Sequence, residues 1–240
     1  MFNIGKKLNI SNIILPHGIF DDDFYLNYKY GYIHKAFAHG NQQFIHFKNL
    51  GLKEANIIKF EFPHYSKSIN FKNISNCKNK AIILAYELCN YYPISSLREL
   101  YNYYFNTTKF LKDLNFTEIL IKSRSNFDFH YQNHLKKFCE KNNLVYASGY
   151  SKLINYLDKY EIVLGPKSTA IFETLLYKKN YYLFSNDQNF KNIESSLIYF
   201  NNNDINKLNK KNFLPILMNK KYDINHFIYK NNLKKIKKVL

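Results

Sequence analysis

A turn at residues 165–169 joins a predicted strand to a predicted helix and carries residue types that bind phosphate. The run 162–164 is apolar and β-branched, and Gly165-Pro166 ends it because proline lacks the N–H that a continuing ladder needs. Ser168 or Thr169 can cap the helix that follows. Free N–H groups and the positive end of the helix dipole make such a turn suited to a phosphate.

Glu173 extends this pattern, since it lies four residues after Thr169 and therefore one helical turn further on a similar face. Its carboxylate can reach the hydroxyls of a sugar attached to the phosphate. A structural role is the alternative for all these residues. Strand–turn–helix units with a capping hydroxyl occur throughout α/β proteins, and a helical glutamate is usually solvated.

Two further sets of reactive side chains follow predicted strands. His17 stands in a Pro-His-Gly turn after the apolar run 12–15, and Lys122 and Arg124 follow the run 119–121. Open α/β sheets bind their ligands outside the carboxyl ends of the strands, which is where these side chains are expected. The alternatives are a histidine that only caps a turn and a Lys–Arg pair at the surface.

The elements that position these residues alternate regularly from residue 80 onward. The sequence predicts strands at 81–86, 119–121, 144–147, 162–164, 181–184 and 198–200, with helices at 96–114, 129–142 and 151–157 and another after Thr169. This alternation predicts an α/β fold with a doubly wound parallel, Rossmann-like sheet and helices on both faces. Upstream, strands at 12–15, 33–38 and 57–62 and a helix at 41–50 precede a polar segment, 66–80, which suits a domain boundary or a long surface loop.

The charge of the chain favours an anionic partner. Lysine and arginine number 35 against 18 acidic residues, a formal net charge of +17. A nucleotide, a nucleic acid or an anionic membrane surface fits this balance, although part of the lysine excess is typical of an AT-rich genome. No RNP-like, helix-turn-helix or zinc-binding pattern supports the nucleic-acid alternative.

The cysteines and the chain ends indicate a cytoplasmic protein. Cys77, Cys89 and Cys139 are odd in number and form no CxxC spacing, which favours a reducing compartment. Residues 1–20 lack the apolar core of a signal peptide, and no apolar run is long enough to span a membrane. The basic C-terminal segment from Asn225 has helical spacing, so it either packs on its own domain or lies on the inner face of the membrane.

Three stretches, 14–18, 118–124 and 160–184, carry a family resemblance. Together they resemble the nucleotide-binding half of a GT-B glycosyltransferase of the bacterial surface-carbohydrate group. That group includes capsule enzymes and proteins like CDP-glycerol glycerophosphotransferase. The resemblance covers most of residues 12–184 and implies a fold like the C-terminal domain of GT-B enzymes.

The resemblance also implies roles for the residues of the donor site. Ser168 and Thr169, in a turn opened by Gly165, would hold the donor phosphates, and Glu173 would bind the ribose or the donor's sugar. Lys122 and Arg124 would neutralise the pyrophosphate charge as the nucleotide leaves. The sequence departs from the family directly after Lys122, where Ser123-Arg124 occupies the place of a common His-Pro.

The implied reaction moves a sugar, or glycerol phosphate, from a nucleotide-activated donor to a glycan or lipid-linked acceptor in surface polysaccharide synthesis. His17 would act as the base that takes the proton of the acceptor hydroxyl. Such folds can work without a metal, so no cofactor is expected. We expect residues 1–30 to be a remnant of, or linker to, an upstream acceptor domain, and 31–240 to form the nucleotide domain with a basic C-terminal helix.

Other functions remain open at this point. A non-catalytic nucleotide- or sugar-binding subunit, or one half of an enzyme completed by a partner chain, fits a short upstream region. A nucleotide-sugar epimerase on the same fold and a basic nucleic-acid-binding protein are further alternatives.

Overall fold

A computed structural model describes residues 11–15, 33–60, 78–86, 96–125, 129–166, 168–177, 179–184 and 198–200. The chain forms two compact units. The first comprises Met1–Ile69 together with Asp223–Leu240, and the second comprises Asn70–Tyr222.

The described part of the first unit is a small parallel sheet covered by a helix. Strands β1 (Ile13–Ile14), β2 (Lys35–Ala38) and β3 (Ile57–Lys59) pair in the order β1-β2-β3, and α1 (Asn41–Asn49) connects β2 to β3. A 3₁₀ turn, Glu54–Asn56, leads into β3. The core of this unit consists of Ile14, Ala36, Ala38, Phe47 and Ile57.

The second unit contains a larger parallel sheet, in which six described strands pair in the order β6-β5-β4-β7-β8-β9. In chain order the elements are β4 (Lys80–Leu84), α2 (Leu97–Asp113), β5 (Glu118–Lys122), α3 (Phe129–Lys141), β6 (Val145–Ala147), α4 (Ile154–Leu157), β7 (Ile162–Gly165), α5 (Ala170–Leu176), β8 (Asn180–Phe184) and β9 (Ile198–Phe200). This is the doubly wound order 3-2-1-4-5-6 of dinucleotide-binding sheets.

The central strands are continuous apolar runs because helices cover both of their faces. Ile82 and Ile83 on β4 are fully buried although their side chains point to opposite faces, and the same holds for Leu120 and Ile121 on β5. One side of the sheet packs against α2 and α3. The core there includes Leu100, Tyr104, Leu111, Leu135, Cys139, Ile83, Ile121 and Leu164.

These observations confirm the predicted fold class, and each predicted strand and helix with a described counterpart lies within a few residues of it. The division of the chain differs from the expected one. The expected domain 31–240 is divided between the two units, because β2 and β3 pair with β1 in a separate sheet. The observed boundary, after Ile69, falls in the polar segment 66–80.

Some predictions lie outside the described residues. These concern His17 and the basic C-terminal helix. Within the parts of the chain that the structure describes, no helix has the length and apolar character needed to cross a bilayer.

Candidate functional site

The candidate site lies at the carboxyl edge of the six-stranded sheet, where the strand order reverses. Strands β4 and β7 are neighbours there, although α2, β5, α3, β6 and α4 separate them in the sequence. Chains leave the two strands toward opposite sides of such a sheet, which opens a crevice for a ligand. Leu84 ends β4, Gly165 ends β7, and Lys122 ends the next strand, β5.

The turn between β7 and α5 is fixed by hydrogen bonds of Ser168. The Ala170 N–H donates to Ser168 Oγ at 3.1 Å, and the Ile171 N–H donates to the Ser168 carbonyl at 3.1 Å. Thr169 is exposed and makes no side-chain cap. Of the two predicted capping residues, Ser168 is therefore the one whose side chain satisfies a helical N–H.

Tyr181 of β8 holds this turn in place through its side-chain hydroxyl. Its buried hydroxyl donates to the Pro166 carbonyl and also hydrogen-bonds with Ser168. Burial raises the pKa of Tyr181 well above its ordinary value, whereas the hydrogen bond with Ser168 and the charge of Arg124 act to lower it. Arg124, Ser168 and Tyr181 therefore lie close together although they come from the segment after β5, the turn after β7, and β8.

Gly165 is the residue that lets this packing form. A Cβ at this position would lie 2.7 Å from Leu84 Cβ and 2.8 Å from the Tyr181 hydroxyl oxygen, closer than a Cβ atom packs against non-bonded atoms. The glycine in the predicted phosphate-binding turn is thus required because Leu84 of β4 and Tyr181 of β8 both lie close to this position at the end of β7.

Lys122 is almost completely buried, with 5% of its surface exposed. Its Nζ donates to three backbone carbonyls: Ser123 at 2.7 Å, Ser148 at 2.8 Å and Gly149 at 3.4 Å. Burial lowers the pKa of Lys122 to about 8, and the charge of Glu173 acts in the opposite direction. The ammonium is therefore neutralised at a lower pH than an exposed lysine.

Glu173 of α5 lies within electrostatic range of this lysine. Burial raises the pKa of the Glu173 carboxyl, and the positive charges of Lys122 and Lys152 act to lower it. A partly buried carboxylate within electrostatic range of two lysines can accept hydrogen bonds from the hydroxyls of a ligand.

The loop after β6 forms a tight turn from Ser148 to Ser151. The Ser148 carbonyl accepts hydrogen bonds from the Ser151 N–H at 3.1 Å and from Ser151 Oγ at 2.6 Å, while Ser148 Oγ accepts from the Tyr150 N–H at 3.3 Å. Gly149 donates its N–H to Gln132 Oε1 at 3.2 Å. Tyr150 is 80% exposed, so this turn presents an aromatic ring to solvent.

Three tyrosines hold the backbone just beyond β4 in a closed ring of hydrogen bonds. The Tyr86 N–H donates to the Tyr104 hydroxyl at 3.2 Å, and the Tyr131 hydroxyl donates to the Tyr86 carbonyl at 3.2 Å. The Tyr104 and Tyr131 hydroxyls are 3.0 Å apart. A phenol has one hydrogen, and that of Tyr131 is already used, so Tyr104 is the donor in this pair. The ring fixes the backbone two residues beyond the carboxyl end of β4.

The structure brings five of the predicted site residues to one edge of the second unit: Lys122, Arg124, Gly165, Ser168 and Glu173. Thr169 is on the same turn. Sequence reasoning missed Tyr181, Gly149 and Tyr150. Tyr181 reads as an ordinary residue of an apolar strand, whereas Gly149 between Ser148 and Tyr150 was a turn signal that could have drawn attention to the loop.

Comparison with known proteins reveals likeness in structure alone. No family model and no curated protein matches the sequence. The UDP-GlcNAc 2-epimerase from Methanocaldococcus jannaschii superimposes with a TM-score of 0.60 at 12% identity, covering 99% of this chain and 72% of that one. A histidine-to-asparagine variant of the wall teichoic acid polymerase TagF, soaked with CDPG, gives 0.54 at 15% identity, covering 94% of this chain and 61% of that one.

The chain has a GT-B glycosyltransferase-like fold. A second TagF structure of the same variant gives a TM-score of 0.50 at 13% identity and covers 96% of this chain and 63% of that one. The chain therefore spans less than two thirds of the length of the TagF chains it matches. The expected resemblance to GT-B enzymes is confirmed at the level of the fold.

Proposed function

We propose that this protein is a glycosyltransferase that binds a nucleotide-activated donor at the carboxyl edge of the six-stranded sheet. It transfers the sugar, or glycerol phosphate, to a surface polysaccharide acceptor. The observation that carries the proposal is the convergence of Lys122, Arg124, Ser168 and Glu173 beside the strand-order reversal between β4 and β7. The names of the structural neighbours, which concern UDP-GlcNAc and CDPG, support a nucleotide-linked substrate.

The charged groups suit a departing nucleoside diphosphate. Arg124 is exposed at the end of β5 and presents a guanidinium, which can bind two phosphate oxygens at once. Lys122, the last residue of β5, is two residues earlier in the chain and is buried. In the proposed reaction the guanidinium of Arg124 stabilises the negative charge that develops on the leaving group, and no metal is needed.

The remaining polar groups suit the rest of the donor. Ser168 and Thr169 hold the phosphates at the turn that Gly165 opens, and Glu173 accepts hydrogen bonds from ribose or sugar hydroxyls. The exposed ring of Tyr150 offers the base a stacking surface. Strand β6 lies two strand spacings, about 10 Å, from β4, a distance that a nucleoside diphosphate spans. In this proposal His17 takes the proton of the acceptor hydroxyl.

A ligand screen by thermal denaturation tests the donor site. Wild type, Glu173→Gln and Glu140→Gln are melted with CDP, UDP, GDP and their sugar or glycerol conjugates. Glu140 is an exposed glutamate of the same unit, so its substitution makes the same change of charge away from the site. A nucleotide at a hundred times its Kd stabilises the fold by about 2.7 kcal/mol.

We expect one nucleotide to raise the melting temperature of wild type and Glu140→Gln, and to raise that of Glu173→Gln much less. Equal shifts in all three proteins would place the nucleotide elsewhere. Transfer itself is then tested by incubating that donor with an acceptor glycan. Release of nucleotide that depends on the acceptor indicates transfer, binding without release indicates a binding subunit, and conversion of the sugar without acceptor indicates an epimerase.

A further inference from the structure

The hydrogen bonds of Lys122 argue against a direct bond between its ammonium and a donor phosphate. An ammonium has three N–H donors, and those of Lys122 are directed at the carbonyls of Ser123, Ser148 and Gly149. The first carbonyl belongs to the end of β5, and the other two belong to the turn after β6. A phosphate could bond to Nζ only if one of these contacts were given up.

Gly149 shows how closely the two segments are joined. A Cβ on Gly149 would lie 2.0 Å from the carbonyl oxygen of Arg124 and 2.8 Å from the Ser125 nitrogen, so the two backbones are in direct contact. Gln132 of α3 accepts the Gly149 N–H from a third direction. The Lys122 ammonium and the lack of a side chain at Gly149 thus both allow the turn 148–151 to pack against the residues that follow β5.

Two features of the candidate site depend on the contact between the turn 148–151 and the residues that follow β5. Tyr150 follows Gly149 directly and is 80% exposed, so its position is set by the turn. Arg124 supplies the carbonyl against which Gly149 packs, so the backbone that carries its guanidinium is set by the same contact. Lys152, one residue beyond the turn, is close enough to Glu173 to affect its pKa, which places the turn beside α5 as well.

We propose that Lys122 is a positioning residue of the donor site, whose ammonium fastens the turn 148–151 to the end of β5 and so holds Tyr150 in place for the base of the donor. The inference rests on the proposed function, since it concerns the same site. It differs from the role that the family resemblance implies, because Lys122 then acts through the turn and not through a bond to phosphate.

The two roles differ in the part of the ligand that they affect. A lysine that bonds to phosphate contributes only when the bound molecule carries phosphate. Its replacement therefore weakens the binding of a nucleoside diphosphate and leaves the binding of the bare nucleoside unchanged. A residue that positions Tyr150 affects the base, so its loss weakens the nucleoside and the diphosphate by similar factors. Base stacking on an aromatic side chain is strong enough for its loss to change affinity by about tenfold.

The experiment measures Kd for a nucleoside diphosphate and for the matching nucleoside by ligand-observed NMR. Wild type, Lys122→Met, Tyr150→Ala and Arg124→Gln are compared, with Lys137→Met as the control because Lys137 is an exposed lysine of the same unit. We expect Lys122→Met and Tyr150→Ala to weaken both ligands about tenfold. Arg124→Gln should weaken the diphosphate alone, and Lys137→Met should match wild type.

Loss of diphosphate affinity alone in Lys122→Met would overturn the inference and restore Lys122 as a phosphate ligand. If Lys122→Met does not fold, the Tyr150→Ala variant provides the test, because the exposed ring can be removed without disturbing the core. Unchanged nucleoside affinity in Tyr150→Ala refutes the inference. Failure of wild type to bind either ligand would refute the proposed function itself and is distinguishable from both of these outcomes.

Discussion

Replacement of Lys122 by methionine should change how the stability of the protein depends on pH. Burial lowers the pKa of this lysine from an ordinary value of 10.5 to about 8 in the folded protein. Between these two values the unfolded chain binds more protons at this position than the folded chain does. The free energy of unfolding contributed by Lys122 therefore increases as the pH rises.

The size of the effect follows from the two pKa values. Below about pH 7 the lysine is protonated in both states, and its burial as an ammonium costs stability. Between about pH 7 and pH 9 the wild type should gain about 1 kcal/mol relative to Lys122→Met, which has no group to titrate there. The comparison removes the contributions of all groups that the two proteins share.

The assay is urea denaturation followed by far-UV circular dichroism at several pH values, with Lys137→Met as the control. We expect the difference in unfolding free energy between wild type and Lys122→Met to change with pH, and that between wild type and Lys137→Met to stay constant. A constant difference for Lys122→Met, or one that changes in the opposite direction, would show that the ammonium is not buried as described.

Three further predictions concern packing within the second unit. Gly149→Ala should lower the free energy of unfolding by about 2 kcal/mol, because its Cβ would lie 2.0 Å from the Arg124 carbonyl oxygen; an unchanged urea midpoint contradicts this close contact. Tyr181→Phe should lower the free energy of unfolding by about 1 kcal/mol, because the hydrogen bond to the Pro166 carbonyl is lost. The same variant should bind nucleotide more weakly in a titration. Unchanged stability and unchanged nucleotide affinity would refute the support of the turn by Tyr181. Burial raises the pKa of the Cys139 thiol to about 12, so peptide mass spectrometry should find this residue unmodified by iodoacetamide in native protein and modified in urea; rapid native modification would contradict its burial.

The fold was predictable from the sequence because its strands are short apolar runs bounded by polar turns. The run that became β5 and the run that became β7 are recognisable from composition alone, and alternation with helices implies parallel pairing. Parallel strands share one carboxyl edge. Lys122, Arg124 and Ser168, which follow or end such strands, could therefore be expected at the same edge of the sheet.

The remaining features depend on packing that no local pattern reveals. Tyr181 supports the turn at Pro166 from 15 residues away, across the pairing of β7 with β8. The carbonyls that bind Lys122 come partly from Ser148 and Gly149, whose approach depends on the pairing of β5 with β6. The separate sheet of the first unit was missed for a similar reason, since the sequence does not show which strands β2 and β3 pair with.

The most direct test of the donor site is a calorimetric titration of wild type, Arg124→Gln and Arg98→Gln with the nucleoside diphosphate that stabilises the protein best. Arg98 is an exposed arginine of α2, so the two variants lose the same charge from the same unit. A charge-assisted bond to phosphate contributes about 1.5–3 kcal/mol, so Arg124→Gln should weaken binding at least tenfold while Arg98→Gln binds like wild type. Equal affinity of the two variants would show that the end of β5 does not bind the donor diphosphate and would contradict the proposed site.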